Sequence, residues 1–393
     1  MASSGGNAAK LMTTVVFYVK KSVLKVSLCG FSGPRQHDFP ENSSTSMENP
    51  TGSNERELPS SCPIRMGATA GPEPEYEGIP WPGYKPRGSL ARMLHNKAIH
   101  DYYLKQINKN DWYQCDLTQL HPDVARTFVQ LDPDQDTISF LEEAERKSQW
   151  VLTQLWHTVV KMFLGWFMTQ TSINGWLQRG SMFVVSRPQL LKLLNVDDTV
   201  KFQSLLDLGA GDGNVTAQLA PFFHRVYVTE VSVAMKNLLQ RQGFSILDID
   251  AWHRTNKYDV ISCLNLIDRC DTPLDLLTQI RTALKPDGLV LLAVVLPFSP
   301  YVEAGEGSKQ DCDSLETAFG VFQGACDHRP KQALPIEGDT FEAQVQSLVT
   351  NVLKPAHFEV LSWSRVPYLC EGDLQQSYYW LDDAIFVLKA SDT

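Results

Sequence analysis

The sequence lacks three features that would place it in a common class of protein. Its eight cysteines include no Cys-x-x-Cys pair and none of the spacings that bind zinc, so reduced structural thiols are expected and no metal site. It has no surplus of positive charge, because its net charge is −10, and this argues against nucleic acid as the main partner. It has no apolar run long enough to cross a bilayer, so no transmembrane segment is predicted.

Acidic residues are missing from the first 37 positions, which carry five basic side chains. This acid-poor, serine-rich composition is typical of a transit peptide, and an unstructured tail is an equally good interpretation. The apolar run at residues 11–19 is too short to span a membrane and is followed by Lys20 and Lys21. Residues 1–88 are rich in Ser, Gly, Pro and Asn, which predicts a disordered leader. The endoplasmic reticulum, the mitochondrion and the cytoplasm all stay open as compartments.

The rest of the chain is predicted to form two parts. Residues 89–198 have a helical pattern and are expected to form a cap. Within it, residues 140–179 hold many aromatic side chains at spacings of three and four, which favours packing on a sheet over a lipid-binding face. Residues 199–393 are expected to form the second part, with a Gly-rich loop insertion at residues 303–338.

Residues 199–393 alternate between short apolar runs and amphipathic segments. The predicted strands are residues 204–208, 225–230, 244–249, 258–264, 289–297, 358–367 and 383–389. Alternation of strands with helices predicts a parallel sheet that has helices on both faces. The last two strands have no helix between them, so an antiparallel edge is expected. The predicted fold is therefore α/β, of the class I methyltransferase type, with a Rossmann-like seven-stranded sheet.

The most informative stretch is residues 204–219, SLLDLGAGDGNVTAQL. An apolar strand, three alternating glycines and a helix let the backbone approach a ligand at a helix N-terminus. The spacing is Gly-x-Gly-x-Gly, and not the Gly-x-Gly-x-x-Gly of dinucleotide-binding proteins. Two carboxylates here would repel a pyrophosphate but attract the amino group and sulfonium of S-adenosylmethionine. We therefore predict that this cofactor binds at Asp207, Gly209, Gly211, Asp212 and Gly213.

Further cofactor contacts are predicted after the next two strands. Glu230 ends the second strand about 20 residues beyond the glycines, where an acid can accept both ribose hydroxyls. Asp250 and Trp252 follow the third strand, in the loop that borders the adenine in this fold. Both are predicted to contact the adenine, although ordinary core packing is an equally good interpretation of Trp252.

Polar residues follow the fourth strand at the edge where ligands bind in such sheets. Asn265 and Asp268 are three apart, so a helical turn would point both to one side, and we predict that they are catalytic. Asp268 is equally suited to capping the helix that begins after Thr272. The segment is not the Asn/Asp-Pro-Pro-Tyr motif used to methylate exocyclic base amines, which again counts against nucleic acid. The residues predicted to bind the substrate are Arg179, Ser181, Tyr301 and Tyr368.

These stretches together resemble the DREV family of methyltransferases. The resemblance covers roughly residues 110–390 and rests on TSING at 171–175, GSMFV at 180–184, LLDLGAGDG at 205–213, DVISCLNLIDRCD at 259–271, LPF at 296–298 and PYLCEGD at 367–373. It implies a protein-histidine N-pros-methyltransferase that acts on His-x-His motifs in which x is small. It implies cofactor contacts at Asp207, Gly209 and Glu230, and target-histidine contacts at Asn265 and Asp268. The first 88 residues and the long insertion depart from the family pattern.

The chemistry of such a reaction assigns roles to the two predicted catalytic residues. An imidazole must be neutral to accept a methyl group, and with an ordinary pKa of about 6.5 much of it is neutral at pH 7. A carboxylate that accepts the far N–H would select the tautomer and stabilise the cation that forms. We assign this role to Asp268 and an orienting role to Asn265.

The sequence also suggests partners. We expect a monomer that acts on histidine-rich protein substrates, zinc-binding proteins among them. Because the chain has no His-x-His of its own, it is not expected to methylate itself at that motif. A small-molecule methyltransferase of the same fold and a catalytically inactive cofactor-binding protein remain as alternatives.

Overall fold

The computed structural model describes residues 86–164, 170–255, 257–302 and 328–391. The predicted leader therefore lies almost entirely outside the described residues, as do Trp166, Phe167 and most of the predicted insertion. Within those four ranges, no helix combines the length and apolar character needed to cross a membrane.

The part of the chain before the main sheet is helical, as predicted. Its short 3₁₀ turns lie at Lys109–Tyr113 and Leu117–Gln119. The α-helices are α1 (Ser89–Gln106), α2 (Pro122–Ala125), α3 (Gln135–Ser148), α4 (Val151–Leu164), α5 (Gln170–Leu177) and α6 (Arg187–Leu194). The start of α6 is fixed by a capping box, in which Ser186 and Gln189 each bond to the other's backbone N–H.

The aromatic residues of this region do not pack as predicted. Trp150, Trp156, Phe163 and Trp176 are between 40% and 53% exposed, so the expectation that these side chains face the sheet is wrong. Helix α3 covers the sheet instead, because its apolar stripe includes Leu141 and joins the core. Helical spacing alone predicts a shared face, but it does not say whether that face points inward.

Eight strands of the described residues form one mixed sheet in the order β1-β7-β8-β6-β5-β2-β3-β4. They are β1 (Met182–Phe183), β2 (Phe202–Leu208), β3 (Phe223–Thr229), β4 (Ser245–Ile246), β5 (Tyr258–Leu264), β6 (Leu284–Val295), β7 (Phe358–Glu371) and β8 (Tyr378–Ala390). Strands β2 to β6 run parallel, while β8, β7 and β1 are antiparallel to their neighbours. The predicted seven-stranded sheet and its antiparallel edge are confirmed, and the two-residue β1 extends the sheet by one strand.

Both faces of the sheet are covered, which explains why its central strands are apolar without alternation. Leu206 and Ile261 belong to one core cluster, while their neighbours Leu205 and Val260 belong to a second. The helices that follow β2 are α7 (Asn214–Leu219), α8 (Val233–Arg241), α9 (Trp252–Thr255), α10 (Pro273–Ala283) and α11 (Phe341–Ser347). A π-helical turn at Leu348–Leu353 continues α11.

Candidate active site

The parallel strands bring several polar residues to one edge of the sheet. Strands β2, β3 and β5 end immediately before Gly209, Glu230 and Asn265. Asp383 in β8 pairs with the last residue of β6, and Tyr368 in β7 pairs with β8 two residues before Asp383. This edge is where ligands bind in open α/β sheets.

Asp207 is a buried carboxylate at the end of β2 and is only 3% exposed. It accepts hydrogen bonds from Thr216 Oγ1 at 2.5 Å and Ser262 Oγ at 2.6 Å. Burial raises its pKa to about 6, and these two bonds offset part of the rise. Asp207 therefore ties α7 and β5 to the glycine turn and places negative charge beside it at neutral pH.

The three glycines of the turn all have a left-handed backbone, with φ values of +69°, +56° and +81° at Gly209, Gly211 and Gly213. Side chains disfavour this conformation. A Cβ at Gly209 would lie 3.0 Å from Leu266 Cδ1, and one at Gly213 would lie 2.8 Å from Leu239 Cδ2. The backbone conformation therefore favours glycine at all three positions, and close packing adds to this preference at the third.

Glu230 connects the glycine turn to the loop after β3. Its Oε2 accepts the Gly211 N–H at 2.9 Å, and its Oε1 accepts the N–H groups of Val231 at 2.7 Å and Ser232 at 2.9 Å. Three peptide donors thus hold this buried carboxylate beside the turn. The ribose contact stays a prediction.

A segment before β1 lies over the glycine turn. Asn214 at the start of α7 donates through Nδ2 to Asp212 Oδ2 at 2.7 Å and to Ser181 Oγ at 2.8 Å. The methyl carbon of Met182 is the nearest atom to the position of a Cβ at Gly211, at 3.7 Å. Ser181 and Met182 therefore form one wall of the predicted cofactor site.

Glu371 at the end of β7 anchors this wall. It accepts the N–H groups of Gly180 at 3.1 Å and Ser181 at 3.3 Å, and Lys147 donates to it at 2.5 Å. Arg179 lies 3.6 Å from the same carboxylate and donates to a neighbouring carbonyl. Two of the predicted substrate residues, Arg179 and Ser181, are thus engaged in holding the wall. Their contact with substrate stays a prediction.

A small cavity lies between this wall and the glycine turn. Its volume is about 40 Å³, below the ~300–1,000 Å³ typical of ligand sites. A larger cleft of about 410 Å³ lies around His224 and Gly243 and contains none of the predicted site residues. The acids and backbone of the small cavity fit the amino group and sulfonium of S-adenosylmethionine. Its lining includes Met182, Asp207, Gly209, Asp212, Leu264 and Tyr368.

Asn265 has an unusual backbone and a defined side-chain partner. Its φ is +55°, a left-handed conformation that asparagine tolerates better than most residues. Its Nδ2 donates to Asp383 Oδ2 at 2.8 Å. Its Oδ1 is buried and has no hydrogen-bond partner among the residues described. The catalytic role of Asn265 stays a prediction.

Asp383 is a site residue that the sequence did not reveal. It is fully buried, and this burial raises its pKa to about 7, with a contribution from the charge of Asp268. The hydrogen bond from Asn265 opposes that rise. The available signal was a carboxylate in the otherwise apolar run DAIFVL at 383–388.

Asp268 is also buried, at 2% exposure. Its Oδ2 lies 3.2 Å from Arg269 Nε, while its Oδ1 and Arg269 Nη1 have no hydrogen-bond partner in the described part of the chain. Burial raises the pKa of Asp268, and the charge of Arg269 opposes the rise. The guanidinium of Arg269 stacks on Tyr301, 3.8 Å from the ring centre, and the Tyr301 N–H donates to the Asp268 carbonyl at 3.0 Å.

The alternative role of Asp268, as a helix cap, is wrong. Helix α10 begins after Thr272, and no side chain of its N-cap residue bonds to the helix. Gln332 instead accepts the exposed N–H groups of Leu274 at 3.0 Å and Asp275 at 3.3 Å through its Oε1. The long-range partner could not be identified from local sequence, because Gln332 lies 58 residues from Leu274.

Tyr368 lies between the two groups of residues. It lines the small cavity, its hydroxyl donates to the sulfur of Met182, and it interacts electrostatically with Asp383 and Asp268. Burial raises its pKa well above the ordinary value. The predicted cofactor site and the cluster of Asn265, Asp268 and Asp383 are therefore neighbours.

The two residues predicted to border the adenine occupy different environments. Trp252 is buried in the core with Tyr258, in agreement with the packing interpretation. Asp250 is exposed, and its N–H donates to Asp248 Oδ1 at 2.8 Å. Their contacts with adenine stay predictions.

The fold and the acid–glycine turn define an S-adenosylmethionine-dependent methyltransferase. A family model described as DREV methyltransferase matches residues 112–390 of the chain. The chain belongs to the DREV methyltransferase family, which confirms the resemblance seen in the sequence.

The chain is also similar to solved methyltransferases at low identity. An S-adenosylmethionine-dependent methyltransferase from Clostridium acetobutylicum is 17% identical, with 51% of this chain and 89% of that chain covered and a TM-score of 0.31. The DhpI–SAH complex is 13% identical, with 65% and 97% covered and a TM-score of 0.33. A putative RNA methyltransferase from Pyrococcus horikoshii is 12% identical, with 58% and 89% covered and a TM-score of 0.33. Likenesses at this level define no substrate.

Proposed function

We propose that this methyltransferase methylates the N-pros nitrogen of histidine in His-x-His motifs of protein substrates. The observation that carries the proposal is the pair Asn265 and Asp268 beside the predicted cofactor site, because each has a buried oxygen with no partner among the described residues. Buried acceptors without partners are costly, and a substrate that supplies N–H groups would satisfy them. A neutral imidazole and its peptide backbone supply such groups.

Asp268 and Asn265 have different tasks in this proposal. S-adenosylmethionine, when bound, supplies the methyl group on its sulfonium. Asp268 accepts the far N–H of the target imidazole, so the lone pair of the near nitrogen faces the methyl donor. The same carboxylate stabilises the imidazolium that forms, and a fixed orientation supplies much of the rate. Asn265 orients the target residue through its Oδ1, and Tyr368 lines the small cavity near Asp268.

Substrate proteins are recognised by their histidines in this proposal. The net charge of −10 favours partners with little negative charge, and we expect histidine-rich proteins, including those that bind zinc, among the substrates. Neither alternative function is favoured by a specific contact. A small-molecule methyltransferase would act on free amines or imidazoles, and an inactive protein would bind the cofactor without turnover.

The test uses the full-length chain, a labelled methyl donor and synthetic peptides with His-Ala-His, His-Ala-Ala or Ala-Ala-Ala at the same position. We expect label in the first peptide, much less in the second and none in the third, and acid hydrolysis to release N-pros-methylhistidine. Asp268→Asn should lower the rate of labelling by about 10²-fold or more. Asp271→Asn is the matched control, because Asp271 is a more exposed carboxylate three residues away that pairs with His328 and Lys331. Label on the other ring nitrogen, or equal labelling of all three peptides, would contradict the proposal.

A further inference from the structure

Asp383 is a buried acid that contacts a predicted catalytic residue but has no role in the proposed chemistry. It lies in β8, where its backbone pairs with Val295 and Val366 on either side. Its side chain reaches Asn265 on the loop after β5. An apolar residue would be cheaper to bury at this position, so the carboxylate calls for an explanation.

The chemistry of the two side chains restricts the orientation of Asn265. An ionised carboxylate only accepts hydrogen bonds, whereas an asparagine amide presents donors on one side and an acceptor on the other. The contact between Asn265 and Asp383 therefore turns Nδ2 toward Asp383 and leaves Oδ1 as the atom that is free to accept. The backbone of Asn265 is itself fixed by the bond from its N–H to the Ala293 carbonyl at 3.0 Å.

We propose that Asp383 is a positioning residue, which fixes the amide of Asn265 so that its carbonyl oxygen accepts a substrate N–H. The inference rests on the proposed function, because that N–H belongs to the target histidine residue. Asp268 accepts the hydrogen bond from the imidazole N–H. The remaining donor of the target residue is its peptide N–H, which we assign to Asn265 Oδ1. Asp383 itself touches no reacting atom in this arrangement.

A protonated Asp383 would no longer fix the orientation of the Asn265 amide, because the carboxyl hydroxyl can donate to Asn265 Oδ1 when the amide is flipped. The groups that act on its charge are Asp268, from the loop after β5, and Tyr368, from β7. Arg269 lies beside Asp268, and its charge lowers the pKa of that acid. Since burial raises the pKa of Asp383 to about 7, the orientation of Asn265 should become fixed as the pH rises through neutrality.

Two measurements test the inference. The first is the side-chain amide signal of Asn265 in ¹H–¹⁵N spectra of the full-length protein, assigned with Asn265→Asp. We expect two slowly exchanging protons that shift with pH near neutrality, and loss of this behaviour in Asp383→Asn. The second is kcat/KM on the His-Ala-His peptide, with melting temperature and affinity for S-adenosylhomocysteine as checks on folding.

The kinetic test compares three variants. Asp383→Asn should lower kcat/KM by about tenfold or more without lowering the melting temperature, because its amide can face Asn265 in either orientation. Asn265→Asp alone should be poor, because two carboxylates then face each other. The exchange Asn265→Asp with Asp383→Asn restores a donor–acceptor pair with an oxygen left for substrate, and should recover part of the loss. Asp382→Asn, which removes the neighbouring carboxylate paired with Arg365, should stay within about twofold of wild type.

A purely structural role predicts a different result. Asp383→Asn would then lower the melting temperature while leaving kcat/KM within about twofold of wild type, and this would overturn the inference. An Asn265 amide signal unaffected by Asp383→Asn would overturn it as well. If the wild-type chain does not methylate the peptide, the proposed function fails, and the amide signal alone then decides whether Asp383 fixes Asn265.

Discussion

Replacing Asp268 by asparagine removes one charge and keeps the size of the side chain. Asp268 Oδ2 lies 3.2 Å from Arg269 Nε, and Oδ1 has no partner in the part of the chain that the structure describes. On the proposed function, Oδ1 accepts the far N–H of the target imidazole. An asparagine can instead present its NH₂ group at this position and select the wrong tautomer.

The size of the effect follows from the environment of Asp268. A hydrogen bond to a charged group contributes about 1.5–3 kcal/mol, and each 1.36 kcal/mol changes a rate by a factor of ten. The site is buried at 2% exposure, which favours the upper end of that range. The product cation also loses its counter-charge, so we expect kcat to fall by about 10²-fold or more, as it does for the orienting carboxylate of a catalytic triad.

The assay must separate a loss of chemistry from a loss of folding. We would measure the methylation rate of the His-Ala-His peptide, the affinity for S-adenosylhomocysteine and the melting temperature for Asp268→Asn, Asp268→Ala and the control Asp271→Asn. Cofactor affinity should hold in all three, and only the Asp268 variants should lose turnover. The rate of the wild type should rise with pH through the raised pKa of Asp268 and the pKa of the target imidazole, because the ionised acid and the neutral imidazole are both needed.

One result would refute this reasoning. If Asp268→Ala is destabilised but fully active per folded molecule, the carboxylate serves the fold and not the reaction. A helix-cap explanation is already excluded, because Gln332 accepts the N–H groups at the start of α10. Asp268 would then be held for its contact with Arg269.

Three further outcomes are expected. Gly209→Arg should abolish binding of S-adenosylhomocysteine, measured by calorimetry on folded protein, because φ is +69° and Leu266 lies 3.0 Å from the Cβ position; unchanged affinity would remove the site. The melting temperature of Asp383→Asn relative to wild type should increase between pH 4 and 8. The folded pKa of about 7 exceeds the unfolded value near 3.9, so Asp383 does not reduce the free energy of unfolding below pH 4, where it is protonated in both states. As the pH rises through 7 the buried acid ionises and lowers that free energy by up to about 4 kcal/mol. A difference in melting temperature between variant and wild type that does not change with pH would contradict this. Deleting residues 1–37 should redistribute a tagged protein in cells and preserve activity in vitro, and an unchanged distribution would remove the targeting hypothesis.

The sheet could be predicted because its strands are short apolar runs separated by helices. The exceptions have physical causes. β4 is limited to Ser245–Ile246, although an apolar pattern continues to residue 249, and propensity cannot show where a partner strand ends. β1 has two residues, Met182 and Phe183, and is a strand because of its pairing with β7. Exposure of Trp156 and Phe163 depends on which helices cover α4, which no local pattern encodes.

The residues of the candidate site that could be predicted are those that directly follow a parallel strand. Gly209, Glu230 and Asn265 lie at strand ends, and the parallel topology brings them to one edge. Asp383 was missed because it follows Asn265 by 118 positions and meets it only when β8 inserts beside β6. Arg179 and Ser181 were predicted to bind substrate, but their observed contacts are with Glu371 and Asn214, which no spacing in the sequence links to them.

The charges of the proposed reaction explain why two of the three buried acids lie where they do. Asp207, Asp268 and Asp383 are costly to bury, and each has a raised pKa. The methyl donor carries a positive charge that disappears on transfer, while the acceptor imidazole gains one. In this proposal Asp207 lies beside the sulfonium of the methyl donor, and Asp268 lies beside the imidazolium that the acceptor becomes. Each of the two cations therefore has a carboxylate next to it. The free energy cost of burying these carboxylates is therefore largest in the free protein, and it falls when a cation binds beside one of them. We therefore expect the affinities for the cofactor and for the methylated product to increase with pH as the acids ionise.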